Sequence, residues 1–204
     1  MPKKPGPKQT ASPWEIRPKA PTGSPTDDEI YRAVGMALTS WEYAETALAA
    51  LFARFARAEA DSKVIEPAAQ AYGSITNFNS RVGMVQIAAQ AFFQLAEDRG
   101  CPVDDIDDVS ASFRELTRFT NGLAERRNNI AHGVVSHVSG RGHYLMPPMY
   151  NSKKYKLVTA PQWERCTFAF TAEDIRYYRA NFEELYDEIF AFDELLDWRL
   201  RPSH

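Results

Sequence analysis

Residues 124–135 read AERRNNIAHGVV, and Arg126, Arg127, Asn128, Asn129 and His132 gather two permanent cations, two amides and an imidazole into a few residues. That set can do chemistry. A guanidinium stays charged and presents a planar fork of donors to phosphate oxygens, while an imidazole exchanges protons near neutral pH. Together they suit cleavage of RNA by its own 2′-hydroxyl: the hydroxyl loses a proton, arginine holds the crowded dianionic phosphorane, and the 5′-oxygen leaves protonated. The plain reading of the same residues is a helix end. Arginine and histidine complement the macrodipole at a C-terminus, and asparagine and glycine terminate helices.

Spacing alone is weak evidence, because Arg199 and His204 repeat it. That copy contains Pro202 and lies on the last residues of the sequence, where little holds side chains in place. Arg127 has better support: it falls one heptad after Thr120 and three residues before Ile130, near an apolar seam. Asn128 and His132 are four apart, about 40° around a helix, so Asn128 is placed to orient the imidazole.

Other constellations say less. His132, His137 and His143 with Cys166 fit no familiar zinc spacing. Glu42 and Glu45 could meet a substrate, or serve as surface charge and a seam hydrogen bond. No glycine-rich phosphate loop, GxSxG or HExxH occurs. Cys101 and Cys166 stand far apart without a CxxC, which gives no disulfide framework and makes a reducing cytoplasm the expected location.

Elements must position the motif. The composition, 44% hydrophobic, 12% aromatic and 25% charged, is that of an ordinary globular chain, and no apolar run is long enough to span a bilayer. Residues 1–25 hold seven of the 13 prolines together with Lys3, Lys4, Lys8, Arg17 and Lys19, and read as a solvated, disordered tail. From Thr26, spaced from Glu29 as in a capping box, Ile30, Val34, Ala37, Trp41, Ala44, Leu48, Leu51 and Phe55 predict one long helix. A loop around Pro67 and Gly73 leads to a second, with Val82, Val85 and Ala89 on its stripe, ending at Gly100. Val109, Phe113, Leu116, Leu123 and Ile130 line a third, which should close at His132 with Gly133 as its left-handed C-terminal cap.

The period then changes. VVSHV, HYLMPPMY, KYKLV and RCTFAF, over about residues 134–170, predict short strands in a β-hairpin or meander. Thr171 and Asp174 open a last helix, whose stripe from Ile175 to Leu200 is widened by Tyr186 and Phe190. The fold class expected is mainly α: an antiparallel bundle of four to five helices over residues 26–204, with the β element inserted before the last long helix.

Charge is uneven. Residues 126–165 carry Arg126, Arg127, Arg141, Lys153, Lys154, Lys156 and Arg165 against Glu164 alone, so Lys153, Lys154, Lys156 and Arg141 are candidate RNA-backbone contacts. A solvated basic hairpin is the competing reading.

RRNNIAHG closely resembles the signature of the HEPN superfamily (higher eukaryotes and prokaryotes nucleotide-binding domains): an arginine, a polar residue that is commonly asparagine, and a histidine after a short spacer. Arg127, Asn128 and His132 occupy those positions. The resemblance implies an up-and-down helical bundle, a homodimer that brings two motifs together, and, in many members, metal-independent endoribonuclease activity with RNA as substrate. It makes Arg127 and His132 catalytic, with Asn128, Arg126 and Asn129 supporting, and calls for no metal and no cofactor. Many members are toxins or defence effectors, so an antitoxin or regulatory protein is an expected partner and a membrane is not. Other members have lost catalysis, which leaves a non-catalytic module binding a partner protein or nucleotide as the alternative. Val134 departs from members neutralised by nucleotidylation, which carry tyrosine there, and minimal members lack the β insertion. The dimer interface is expected to include the end of the third helix and the stripe at Phe182, Tyr186 and Phe190.

Overall fold

The computed structural model describes residues 12–56 and 67–200. In chain order they form α1 (Asp27–Phe55), α2 (Pro67–Ser74), α3 (Phe78–Asp98), α4 (Val103–Ala131), β1 (Val134–Val138), β2 (Gly142–Met146), a 3-10 turn (Ser152–Lys154), α5 (Gln162–Arg165) and α6 (Ala172–Arg199). The protein is mainly helical, with a small antiparallel hairpin before the last long helix, as its periodicity predicts.

Local chemistry sets the helix starts. The Thr26 hydroxyl accepts from the Glu29 N–H at 3.4 Å, and Asn77 caps α3 in the same way through the Ser80 N–H. Thr171 and Asp174 form a complete capping box on α6. Between the helices the stripes meet as expected. Trp41 is 1% exposed and packs its ring on Phe78 and Phe182 at centroid distances of 5.1 and 5.3 Å, and Phe55 gathers Phe92, Phe93, Phe113 and Phe192 around it. Burying such aromatics is the main favourable term in the fold.

Helix direction refines the antiparallel expectation. Ser40 meets Glu183, Tyr43 meets Tyr186 and Arg54 meets Asp197, so α1 and α6 run the same way. Arg127 against Glu42, and Arg199 against Asp105, set α4 antiparallel to both. The segment around Pro67 and Gly73, expected as a loop, forms α2 and returns the chain so that α3 also parallels α1, with Trp41 against Phe78 and Phe55 against Phe92.

Only two of the four expected strands pair as a sheet. Val134 faces Met146 and Val138 faces Gly142, across a turn in which Gly140 takes φ +73°. KYKLV and RCTFAF instead make single bridges, Tyr155 to Cys166 and Leu145 to Phe170, because the 3-10 turn and α5 interrupt their pairing.

Residues 12–25 are not a solvated tail, whereas residues 1–11 lie outside the described residues. They form a strap. Trp14 packs on Phe119, Arg17 pairs with Asp174 at 2.9 Å, Lys19 donates to the Trp163 carbonyl at 2.6 Å, and Ser24 exchanges backbone hydrogen bonds with His143. The prolines prevent a core of the segment's own but not docking onto one already made. Phe182 is fully buried in the core and unavailable to an interface, whereas Phe190 is exposed and Tyr186 half-buried. Among the described residues no helix is long and apolar enough to cross a membrane.

Candidate functional site at the end of α4

His132 caps α4 with φ −108° and ψ 7°, its backbone N–H bonded to the Asn128 carbonyl at 3.1 Å. Gly133 does not take the left-handed conformation expected of a capping glycine. Its requirement is space, since a Cβ there would sit 2.5 Å from Leu145 Cγ and 3.0 Å from the Asn129 carbonyl oxygen. The second strand of the hairpin thus presses against the last turn of α4 and fixes where the chain leaves the helix.

The four polar residues Arg126, Arg127, Asn128 and Asn129 divide between two environments. Arg127 is partly buried, with 29% of its side chain exposed; its Nη1 donates to Asn128 Oδ1 at 3.2 Å and its Nη2 faces Glu42 Oε1 at 3.8 Å. Asn128 therefore serves the arginine and not the imidazole. His132 is exposed and makes no side-chain hydrogen bond among the described residues. Arg127 and His132 are five residues apart, which separates them by about 140° around the axis and about 7.5 Å along it in regular helix.

Arg126 and Asn129 turn inward, with 3% and 5% exposed. Arg126 Nη2 donates to Glu125 Oε2 at 2.6 Å, and Glu125 Oε1 also receives Lys154 Nζ at 3.5 Å. Partial burial acts to raise the Glu125 carboxyl, but the Arg126 guanidinium and Lys154 ammonium outweigh it and hold the carboxyl below its ordinary value. Beyond that carboxylate the donors have no acceptor. Of seven buried side-chain nitrogens and oxygens without a partner among the described residues, four belong to this turn: Arg126 Nε and Nη1, Arg127 Nε and Asn129 Nδ2. Buried polar groups are almost always paired, so this concentration marks the turn as different from the rest of the bundle.

The candidate RNA contacts separate as well. Lys153 and Lys156 are exposed, without an ion-pair partner among the described residues. Lys154 is tied to Glu125, and Arg141 stacks over Trp163 at 4.2 Å while donating to the Pro21 carbonyl. The histidines do not converge: His137 and His143 face each other across the hairpin at 4.9 Å, and no group of three or more His, Cys, Asp or Glu side chains arranged to hold a metal occurs among the described residues. Glu45 proves to be the seam residue, accepting from Trp41 Nε1 and pairing with Arg81, whereas Glu42 reaches the motif. Glu125 was invisible to motif reading, because its role depends on Lys154, which the fold brings in from the far side of the hairpin. No family model, curated protein or solved structure matches the chain.

Proposed function

We propose that the protein is an endoribonuclease of HEPN type, with Arg127 holding the scissile phosphate, His132 exchanging protons, and a second copy of the motif completing the site in a homodimer. The observation that carries this reading is an exposed imidazole with no side-chain partner among the described residues, set at the end of a helix just beyond a guanidinium that Glu42 and Asn128 hold in place. The separation of about 140° around the axis keeps a phosphate on Arg127 away from the same chain's imidazole. A second copy supplies the missing proton carrier, one histidine as base and one as acid.

A surface that could take that copy lies on α1 and α6. A groove of about 710 Å³ runs between α1 and α6, lined by Tyr31, Met36, Tyr43 and Tyr186, and Tyr43 neighbours Glu42. Arg32 lines one end and Asp187 the other, both exposed and without an ion-pair partner among the described residues. A two-fold arrangement sets each arginine against the other copy's aspartate, as a self-complementary interface requires.

The test is cleavage of mixed cellular RNA, with the ends examined for 2′,3′-cyclic phosphate. His132→Ala cutting as well as wild type would defeat the reading, and so would a strict monomer at tens of micromolar with and without RNA. The rival, a non-catalytic module taking a partner protein or nucleotide at the same cleft, draws support from Glu42, whose carboxylate competes with phosphate for Arg127. It requires RNA or nucleotide to bind without being cut.

A further inference from the structure

Arg126 is the most enclosed cation at the motif, and its pairing is incomplete. Its guanidinium offers Nη2 to Glu125 and leaves Nε and Nη1 without acceptors among the described residues, and Asn129 Nδ2, one turn on and on the same side of the helix, is in the same condition. Lys154 Nζ reaches the other oxygen of the same carboxylate. Arg126 and Lys154 thus share a single two-oxygen acceptor, and Asn129, four residues after Glu125 on the same helix, carries a further unmet donor. The acceptor is also the loosest member, since 60% of the Glu125 side chain is exposed and, among the described residues, its rotation into solvent breaks only these two contacts.

We propose that Glu125 occupies a phosphate seat: a phosphate group displaces its carboxylate and is held by Arg126, Asn129 and Lys154. A phosphate brings more oxygens than a carboxylate and can accept from the donors that Glu125 leaves unmet. The exchange costs no uncompensated buried charge, because the guanidinium passes from one anion to another. Glu125 then acts as a built-in competitor that keeps Arg126 paired when no phosphate is bound. The seat is separate from Arg127, which faces α1 through Glu42, and it does not depend on RNA being cut.

Binding tests it directly. Inorganic phosphate is titrated by calorimetry into full-length wild type, Glu125→Gln, Glu125→Gln/Lys154→Gln and Glu115→Gln. Glu115 is an exposed carboxylate of the same helix, paired with Arg118, and its variant controls for the general change of charge. Glu125→Gln should bind phosphate roughly ten-fold tighter than wild type, the double variant should lose that gain, and Glu115→Gln should match wild type. A parallel titration with a 2′-O-methyl oligouridylate, which has no hydroxyl to attack, separates the sources. A gain for both probes assigns the seat to backbone phosphate; a gain for inorganic phosphate alone assigns it to a free phosphate or a terminal monoester. Arg126 is identified by the Nε–H resonance of Glu125→Gln protein, which should shift with phosphate, a readout that spares the buried side chain from mutation. If Glu125→Gln binds neither probe more tightly than Glu115→Gln, or if the Arg126 resonance does not move, there is no seat.

Discussion

Two enclosed arginines in this bundle are treated in opposite ways. Arg81, at the start of α3, spends all three guanidinium nitrogens: Nη1 on Glu45, Nε on the Ile75 carbonyl at 2.6 Å and Nη2 on the Gly73 carbonyl at 3.5 Å, with its face over Tyr72. Arg126 is more deeply enclosed, with 4% of its side chain exposed against 21%, yet it spends one nitrogen. Depth should demand pairing, because an unpaired buried donor keeps the full cost of leaving water. Arg81 therefore reads as a group placed for stability. Arg126 reads as one kept ready for an acceptor that arrives from outside the chain.

The largest effect expected concerns that difference between the two regions. His132→Ala should slow RNA cleavage by about 100- to 10,000-fold through loss of a proton-transfer group, whereas Arg81→Ala should leave cleavage per folded molecule unchanged. Both are read from initial rates on one RNA, scaled to the folded fraction by circular dichroism. An Arg81→Ala protein that folds and has lost cleavage would erase the distinction.

Stability should reverse the order. Arg81→Ala strands the Glu45 carboxylate in the core and should cost about 3–5 kcal/mol in urea unfolding, as expected for breaking a buried pair from one side. Arg126→Met removes the buried charge with its unmet donors, fills similar volume and leaves the exposed Glu125 to Lys154 and solvent, so the change should be under about 1 kcal/mol or favourable. Equal losses at the two positions would mean that Arg126 is a structural cation like Arg81.

Most of the frame was legible because burial has a period. Trp41, Leu48, Leu51 and Phe55, or Val109, Phe113, Leu123 and Ile130, fall on their stripes and are buried. What escaped was decided by contacts between distant segments. The strap is polar and proline-rich, and nothing local says that Arg17 finds Asp174 or that Gly23 and Ser24 extend the hairpin. KYKLV and RCTFAF have strand composition, but propensity did not fix whether they would find a continuous partner. At the site, spacing placed Arg127 near the seam, yet it could not tell that Arg126 would be the buried neighbour. Gly133 looked like a left-handed cap and is instead a point of close approach to Leu145.

The strap gives the next smaller effect. A Cβ on Gly122 would lie 2.4 Å from Trp14, so Gly122→Ala must push the indole off α4. The loss should be about 1–3 kcal/mol, the range for overpacking. A fluorescence change assigned to Trp14, by comparison with Trp14→Phe, would show that the strap moved and not the helix. Unchanged fluorescence and stability would mean that residues 12–25 contribute little to the fold beneath them.

The smallest effect is the response of the clip at Glu125 to acid, and it bears on whether Arg126's single partner is replaceable. The Glu125 carboxyl is held below its ordinary value when folded, so its contribution is complete above the ordinary carboxylate range and is lost as pH falls through the lowered folded value. What it holds is local: Lys154, in the turn Ser152–Lys154, whose N–H bonds to the Asn151 carbonyl at 3.0 Å. Protection of that N–H from hydrogen exchange, corrected for the intrinsic pH dependence of exchange, should fall on acidification in wild type. In Glu125→Gln it should be low and flat over the same range, because the amide has no charge to lose. Protection near the α3 start, measured in the same experiment, supplies the contrast. Equal acid sensitivity of the Lys154 N–H in both proteins would show that the turn is held by its own hydrogen bonds, and that Glu125 leaves Arg126 without disturbing anything else.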